Sequence, residues 1–278
     1  MKHFTTHYKE LTRLGVPIVI GQLGIIFVSF VDTFMVSRHA GNDLAAASFV
    51  NNMFNLAIIF ATGFSYGLTP IVGKLFGKGK RDEAGGMFRN ALFANGSMSI
   101  LLMSVMWILY LNIGNLGQPE ELLGLMRPYY ITLLISIPFT LLFNAFKQFA
   151  DGITDTKTSM WILLTGNVLN IVGNYLLIFG KCGFPELGLL GAGISTLLSR
   201  MAMLAMSLVV FLKSKRYQAY ATGFWRTDIS RRRQKELYRL GLPIAAQMGM
   251  ETASFSLATI MVGWLGAIAL AAHQVMLT

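Results

Sequence analysis

The stretch LTRLGVPIVIGQLGIIFVSFVDTFMVS, residues 11–37, decides the fold of this chain. From Leu14 onward the stretch is almost entirely apolar, and Asp32 is the only charged residue among residues 14–37. The run exceeds the roughly 20 residues that a helix needs to cross the hydrocarbon core of a bilayer. Because that core offers no water to backbone amides, a spanning run has to be helical. We therefore predict a membrane-spanning helix over residues 14–37.

Six further apolar runs of similar length follow the first one. They lie at residues 46–73, 87–112, 128–149, 158–180, 188–212 and 238–262. Hydrophobic residues make up 54% of the 278, charged residues only 13%, and the mean hydropathy is +0.57. This composition predicts an all-α polytopic membrane protein with seven spans. An eighth apolar segment begins near Gly266, and the residues from there to Thr278 are too few to cross.

Basic residues cluster in alternate loops, which orients the spans. Most of the 23 lysines and arginines precede span one, surround the second and fourth loops or lie between residues 213 and 239. The opposite loops contain only Arg38, Arg127 and Lys181. Positive charge is typical of cytoplasmic loops, so we expect a bacterial-type inner membrane protein with a cytoplasmic N-terminus. This topology accounts for the net charge of +10, and nucleic-acid binding is not expected.

The beginning of span one recurs near the end of the chain. Residues 11–18 read LTRLGVPI and residues 237–244 read LYRLGLPI. Six spans separate the two copies, so both copies run in the same direction through the membrane. We predict a complete six-helix lobe over residues 1–212, a basic cytoplasmic linker over 213–236, and the beginning of a second, parallel-repeat lobe over 237–278. Transporters with two such lobes bind substrate between them and rock to alternate access.

Several motifs resemble those of multidrug and toxic compound extrusion (MATE) transporters. They are VDTFMVS at 31–37, LFGKGKRDEA at 75–84, GITDTKTSM at 152–160, NVLNIVGNYLLIFG at 167–180, LGLLGAGIST at 187–196 and LAAHQV at 270–275. The resemblance covers essentially the whole chain and is to the NorM-like branch. The family's usual length implies further spans, so we expect a C-terminally truncated chain that lacks most of its second lobe.

Ionisable residues inside a spanning helix are costly and therefore mark functional sites. Asp32 lies in span one, and a carboxylate that leaves water binds a proton more readily. We therefore predict that Asp32 is a proton acceptor or cation ligand. A carboxylate that reaches the outer interface or pairs with a neighbouring helix is the alternative. Arg200 in span six is expected to pair with a carboxylate or reach the inner surface, and has no assigned role.

Spans five and six add neutral oxygen ligands. Asn170 and Asn174 share one helical face, and the resemblance turns that face toward Asp32. With the hydroxyl of Thr196 these side chains could hold Na⁺. Relatives often have a carboxylate where Asn174 stands, which weakens the sodium interpretation. Hydrogen bonding between helices is the alternative for both asparagines, and a bond to its own helix is the alternative for Thr196.

Glu251 is the second predicted coupling residue, and it lies in span seven. It is similar to the acidic residue of the NorM-like branch. One carboxylate in each lobe could bind the coupling ion and a cationic substrate in exchange. The alternative is a buried glutamate that is hydrogen-bonded to Gln247 on the same helical face.

These features favour an H⁺- or Na⁺-coupled antiporter that exports lipophilic or cationic compounds. A flippase for a lipid-linked saccharide and a non-functional truncated fragment are the alternatives. No motif for a hydrolase, a phosphate loop or a metal ligand set is evident, so neither an enzyme nor a cofactor is expected. The expected partners are the bilayer, a small-molecule substrate whose binding residues are unknown, and the missing lobe.

Overall fold

A computed structural model describes residues 2–115 and 120–263, with side chains at 11–115, 121–255, 258 and 261. Those ranges are almost wholly helical. The helices are α1 (Lys2–His39), α2 (Gly41–Tyr66), α3 (Leu68–Gly77), α4 (Arg81–Leu111), α5 (Glu120–Gly152), α6 (Thr156–Ile178), α7 (Gly188–Lys213), α8 (Lys215–Arg226) and α9 (Arg231–Gly263), with a 3-10 turn at Ile113–Asn115. The predicted eighth segment, including LAAHQV at 270–275, lies outside the described residues.

Within the described ranges, six segments are long and apolar enough to cross a membrane. They are Leu11–His39, Gly41–Gly77, Arg81–Leu111, Glu121–Gly152, Thr156–Ile178 and Gly188–Lys213. The first six predicted spans fall on these segments, and the all-α polytopic fold is confirmed. The seventh predicted span falls on α9, which is helical but too polar in its described part to count among the six.

Helix α5 forms the centre of the bundle. It is the most buried of the six segments and packs against α2, α4 and α7. Leu141 and Phe149 are fully buried on it, and the hydroxyl of Tyr130 donates to the Met106 carbonyl oxygen of α4 at 2.7 Å. Burial of these large side chains holds α2, α4 and α7 against α5.

Small residues bring α1, α6 and α7 close enough to form a site. A Cβ at Gly173 of α6 would overlap Ser195 of α7, and one at Gly24 of α1 would lie 3.0 Å from Asn167 Nδ2. Glycine therefore permits helix contacts that no side chain would allow. Ser195 Oγ donates to the Asn170 carbonyl oxygen at 2.8 Å, which fixes the register of α6 against α7.

The helical hydrogen bonding of the predicted second span is interrupted where α2 ends and α3 begins. Pro70 has no N–H to donate to the Tyr66 carbonyl oxygen, so the helical ladder breaks at Gly67. This interruption faces α9, where a Cβ at Gly67 would lie 2.7 Å from the backbone nitrogen of Gly241. One turn earlier, a Cβ at Gly63 would lie 2.8 Å from Ala245 Cα. The α2–α9 contact is thus a glycine-to-backbone contact.

The segment predicted as a linker contains α8, which packs against α4. Tyr217 and Tyr220 are buried on α8 and join an aromatic cluster that includes Phe88 and Phe149. Burial raises the pKa of Tyr217 well above its usual range, so its neutral hydroxyl donates to Asp155 Oδ2 at 2.9 Å. The division of the chain at residues 212 and 236 stays a prediction.

Arg89 of α4 holds the end of α8, and its replacement is expected to loosen that helix. Its Nη1 donates to the carbonyl oxygens of Trp225 at 3.1 Å and Thr227 at 2.9 Å. A bond from a charged donor contributes roughly 1.5–3 kcal/mol, so we expect Arg89→Gln to speed tryptic cleavage within residues 213–233 by roughly tenfold. Lys157→Gln, which removes an exposed charge elsewhere, is the control. Equal cleavage rates in wild type and Arg89→Gln would contradict this role.

Candidate functional site

Asp32 faces α6 from the C-terminal half of α1. The side-chain amide of Asn174 donates to Asp32 Oδ1 at 2.6 Å. Asn174 is fully buried, and Asp32 is partly buried. The amide therefore holds the carboxylate at a fixed position between the two helices.

Asn170 lies one helical turn from Asn174 and connects Asp32 with Thr196. In the orientation that satisfies both ends of its amide, nitrogen donates to Asp32 Oδ1 at 2.9 Å and oxygen accepts from Thr196 Oγ1 at 3.3 Å. The structure thus brings together four of the five predicted residues: Asp32, Asn170, Asn174 and Thr196. Their roles in coupling stay predictions.

An unsatisfied acceptor completes this arrangement. Asn174 Oδ1 is buried and has no hydrogen-bonding partner in the described part of the chain. Buried polar atoms are rarely left unpaired, because their desolvation is then uncompensated. The Asp32 carboxylate and the Thr196 hydroxyl are hard oxygen ligands of the kind that a small cation prefers, whereas both asparagines present their amide nitrogens to Asp32. The arrangement can bind a proton at Asp32 as it stands, and a cation there would need the amide oxygens to turn toward it.

Asp32 opens onto a cavity of about 450 Å³ between the helices. Residues of α1, α2, α5, α6, α7 and α9 line it. Its polar lining includes Gln22, Asp32, Asn55, Thr62, Asn144, Lys147, Asn167, Asn170, Thr196, Ser199 and Arg200. Asp32 is the only acidic side chain among the described lining residues. Among the described lining residues, negative charge therefore comes from Asp32 alone.

Two basic side chains also line the cavity, and sequence reasoning assigned neither of them to it. Arg200 is directed inward, where its Nη1 donates to Ser136 Oγ at 2.6 Å. Lys147 pairs with Asp151, its neighbour one turn along α5, at 3.1 Å. The i,i+4 spacing of Lys147 and Asp151 was a visible signal for that pair. For Arg200 the only signal was its position inside an apolar run, which does not show which way the side chain points.

Glu251 lies apart from the other predicted site residues. It is exposed on α9 and does not line the Asp32 cavity in the described part of the chain, whereas Met248 of the same helix does. Gln247 is also exposed, and no hydrogen bond joins it to Glu251 among the described residues. The alternative of a buried glutamate paired with Gln247 is thus wrong for this structure.

Comparison with known proteins gives one consistent family. The family model MatE matches residues 17–176. The multidrug resistance protein MdtK of Klebsiella pneumoniae (strain 342) is 31% identical over 280 residues, covering 100% of this chain and 61% of that protein. The chain therefore spans about three fifths of the length of this curated relative.

Solved structures show the same fold at lower identity. The transporter VcmN of Vibrio cholerae in its bent form has a TM-score of 0.85 and 20% identity, covering 99% of this chain and 61% of that one. A MOP superfamily transporter of Pyrococcus furiosus has a TM-score of 0.78 and 23% identity, covering 91% of this chain and 54% of that one. At these low identities, the two similarities show a common arrangement of the helices and nothing more specific.

Proposed function

Because this chain belongs to the MatE family of multidrug and toxic compound extrusion transporters, whose members are not enzymes, we propose that it is a cation-coupled antiporter. It exports lipophilic or cationic compounds across the bacterial inner membrane, with its N-terminus in the cytoplasm. A second lobe in cis would complete the substrate pathway between two rocking lobes. No cofactor takes part besides the coupling ion.

The observation that carries this proposal is Asp32, the single carboxylate among the described lining residues of the cavity, which is hydrogen-bonded to two amides. Asp32 binds either the coupling ion or the positive charge of a substrate, and occupancy by one disfavours the other. One proton neutralises Asp32 completely. A sodium ion would rely on the neutral oxygens of Asn170, Asn174 and Thr196 for its remaining ligands, so the charge balance supports the proton as coupling ion.

Two separately imposed gradients test the proposal. Proteoliposomes that contain the protein are loaded with a fluorescent lipophilic cation, and its transport is followed under a proton gradient and then under a sodium gradient. Transport driven by one gradient supports antiport and identifies the ion. If neither gradient drives transport of any cation tested, the antiporter proposal is wrong. The comparisons do not favour the flippase alternative.

Asn174→Asp is expected to make the site more selective for sodium. A carboxylate in place of the Asn174 amide lies directly beside Asp32 and attracts Na⁺ strongly, because the two negative charges repel each other until a cation neutralises them. We expect the Na⁺ concentration that half-saturates thermal stabilisation to fall on the order of tenfold, which corresponds to about 1.4 kcal/mol. Choline chloride at equal ionic strength is the control. The same Na⁺ response in both proteins would show that Asn174 is remote from any cation.

A further inference from the structure

Two side chains of the cavity have N–H groups without a hydrogen-bond acceptor among the described residues. Arg200 carries five N–H donors, and in the described part of the chain its only hydrogen bond is the one to Ser136 Oγ at 2.6 Å. Asn167 Nδ2 is buried and has no hydrogen-bonding partner among the described residues. Both side chains line the cavity that contains Asp32.

Unpaired donors of this kind favour a ligand that brings its own acceptors. Leaving a buried donor unsatisfied is costly, and a guanidinium forms its strongest bonds with a carboxylate or a similar planar acid. Lys147 is not equally available, because Asp151 already pairs with it at 3.1 Å. The acceptor that suits this part of the cavity therefore carries a negative charge and binds at Arg200.

Asp32 and Arg200 remain separate charges in the same cavity. No ion pair joins them in the described part of the chain, since Asp32 bonds to Asn174 and Arg200 to Ser136. A cavity of about 450 Å³ falls within the range of roughly 300–1,000 Å³ that is typical of small-molecule sites. Phe143 and Met203 add apolar surface for a flat ring.

We propose that Arg200 and Asn167 form a subsite for an acidic group of the transported compound. The substrate class that fits the whole cavity is a zwitterion, with its acidic end at Arg200 and its cationic end at Asp32. This inference rests on the proposed function and narrows its substrate class. A proton arriving at Asp32 then displaces the cationic end while the acidic subsite is unchanged, so coupling and substrate selection use different residues.

A matched pair of dyes tests the subsite. Rhodamine B carries a xanthylium cation and a carboxylate, and its ethyl ester keeps the cation but loses the acid. Binding of each dye is measured with the protein in nanodiscs and corrected with empty nanodiscs. A charged hydrogen-bonded pair of this kind corresponds to roughly a tenfold preference, so we expect wild type to bind rhodamine B about tenfold more tightly than the ester.

Arg200→Gln is expected to remove that preference by weakening rhodamine B binding and leaving ester binding unchanged. Arg127→Gln, at an exposed position on α5, keeps the preference and serves as the matched control. Asn167→Leu removes the second donor while Arg200 stays in place. It is expected to reduce the preference about threefold, which keeps the test valid if Arg200→Gln does not fold.

Each of the remaining outcomes contradicts the proposed subsite. Equal binding of the two dyes by wild type shows that the acid is not recognised, and the transporter proposal then stands without it. An equal loss of both dyes in Arg200→Gln and in Asn167→Leu shows that these residues only support the structure. Binding of neither dye by wild type counts against the subsite and against the proposed function together.

Discussion

Replacing Asp32 by asparagine is expected to slow gradient-driven transport roughly 5- to 150-fold while the protein remains folded. The substitution keeps the size of the side chain but removes the only acidic group among the described lining residues of the cavity. Coupling free energies between two ligands are typically about 1–3 kcal/mol. Losing the carboxylate that the coupling ion and the substrate share is therefore expected to lower the rate of gradient-driven exchange roughly 5- to 150-fold. The measurement is dye transport into or out of proteoliposomes under the gradient that drives wild type.

Asp82→Asn is the matched control for this experiment. Asp82 is exposed at the first turn of α4, outside the cavity, and transport by its variant is expected to equal that of wild type. Glu251→Gln tests the second predicted carboxylate separately, because Glu251 does not share the cavity in the described residues. Normal transport by Asp32→Asn would rule out coupling through this carboxylate.

Gly67→Ala is expected to destabilise the protein although alanine is the better helix former. Gly67 has φ −59° and ψ −20°, a conformation that alanine adopts freely. The added Cβ, however, would lie 2.7 Å from the Gly241 nitrogen and 2.8 Å from its Cα, so backbone has to move. Overpacking of this kind costs about 1–3 kcal/mol, and we expect a lower Tm in detergent.

The same substitution at Gly96 isolates the effect of the α2–α9 contact. Gly96 lies within α4, and nothing lies within 4 Å of the position that a Cβ would take. Gly96→Ala should therefore leave the Tm unchanged or raise it, since alanine is favoured over glycine in a helix by roughly 1 kcal/mol. If the two alanine variants have the same Tm, α9 does not pack on Gly67.

The candidate site was only partly visible in the sequence. Asp32 stood out as a charge inside an apolar run, and the spacing of Asn170 and Asn174 put both amides on one face of α6. The position of Arg200 in the same cavity could not be read in this way, because a helical pattern does not give the rotation of one helix relative to its neighbours. Glu251 was equally prominent in the sequence, yet it lies outside the cavity in the described residues.

The contacts between distant segments were likewise only partly visible in the sequence. That α8 packs on α4 and places Tyr217 and Tyr220 against Phe149 of α5 was hidden inside what reads as a basic linker. Gly63 and Gly67 are four residues apart, a common spacing of small residues, but their partners Ala245 and Gly241 lie far along the chain. Which small residues meet depends on how the helices cross.

The sequence by itself determined the class of protein, the first six spans and the family, because hydrophobicity and helical length are local properties of the chain. The tertiary structure decided which polar residues share a cavity and what α2, α8 and α9 pack against. Those features depend on the tilt, rotation and closest approach of helices, which arise from packing among segments far apart in the chain. Arg200 shows this most clearly, since only its neighbours make it part of the Asp32 cavity.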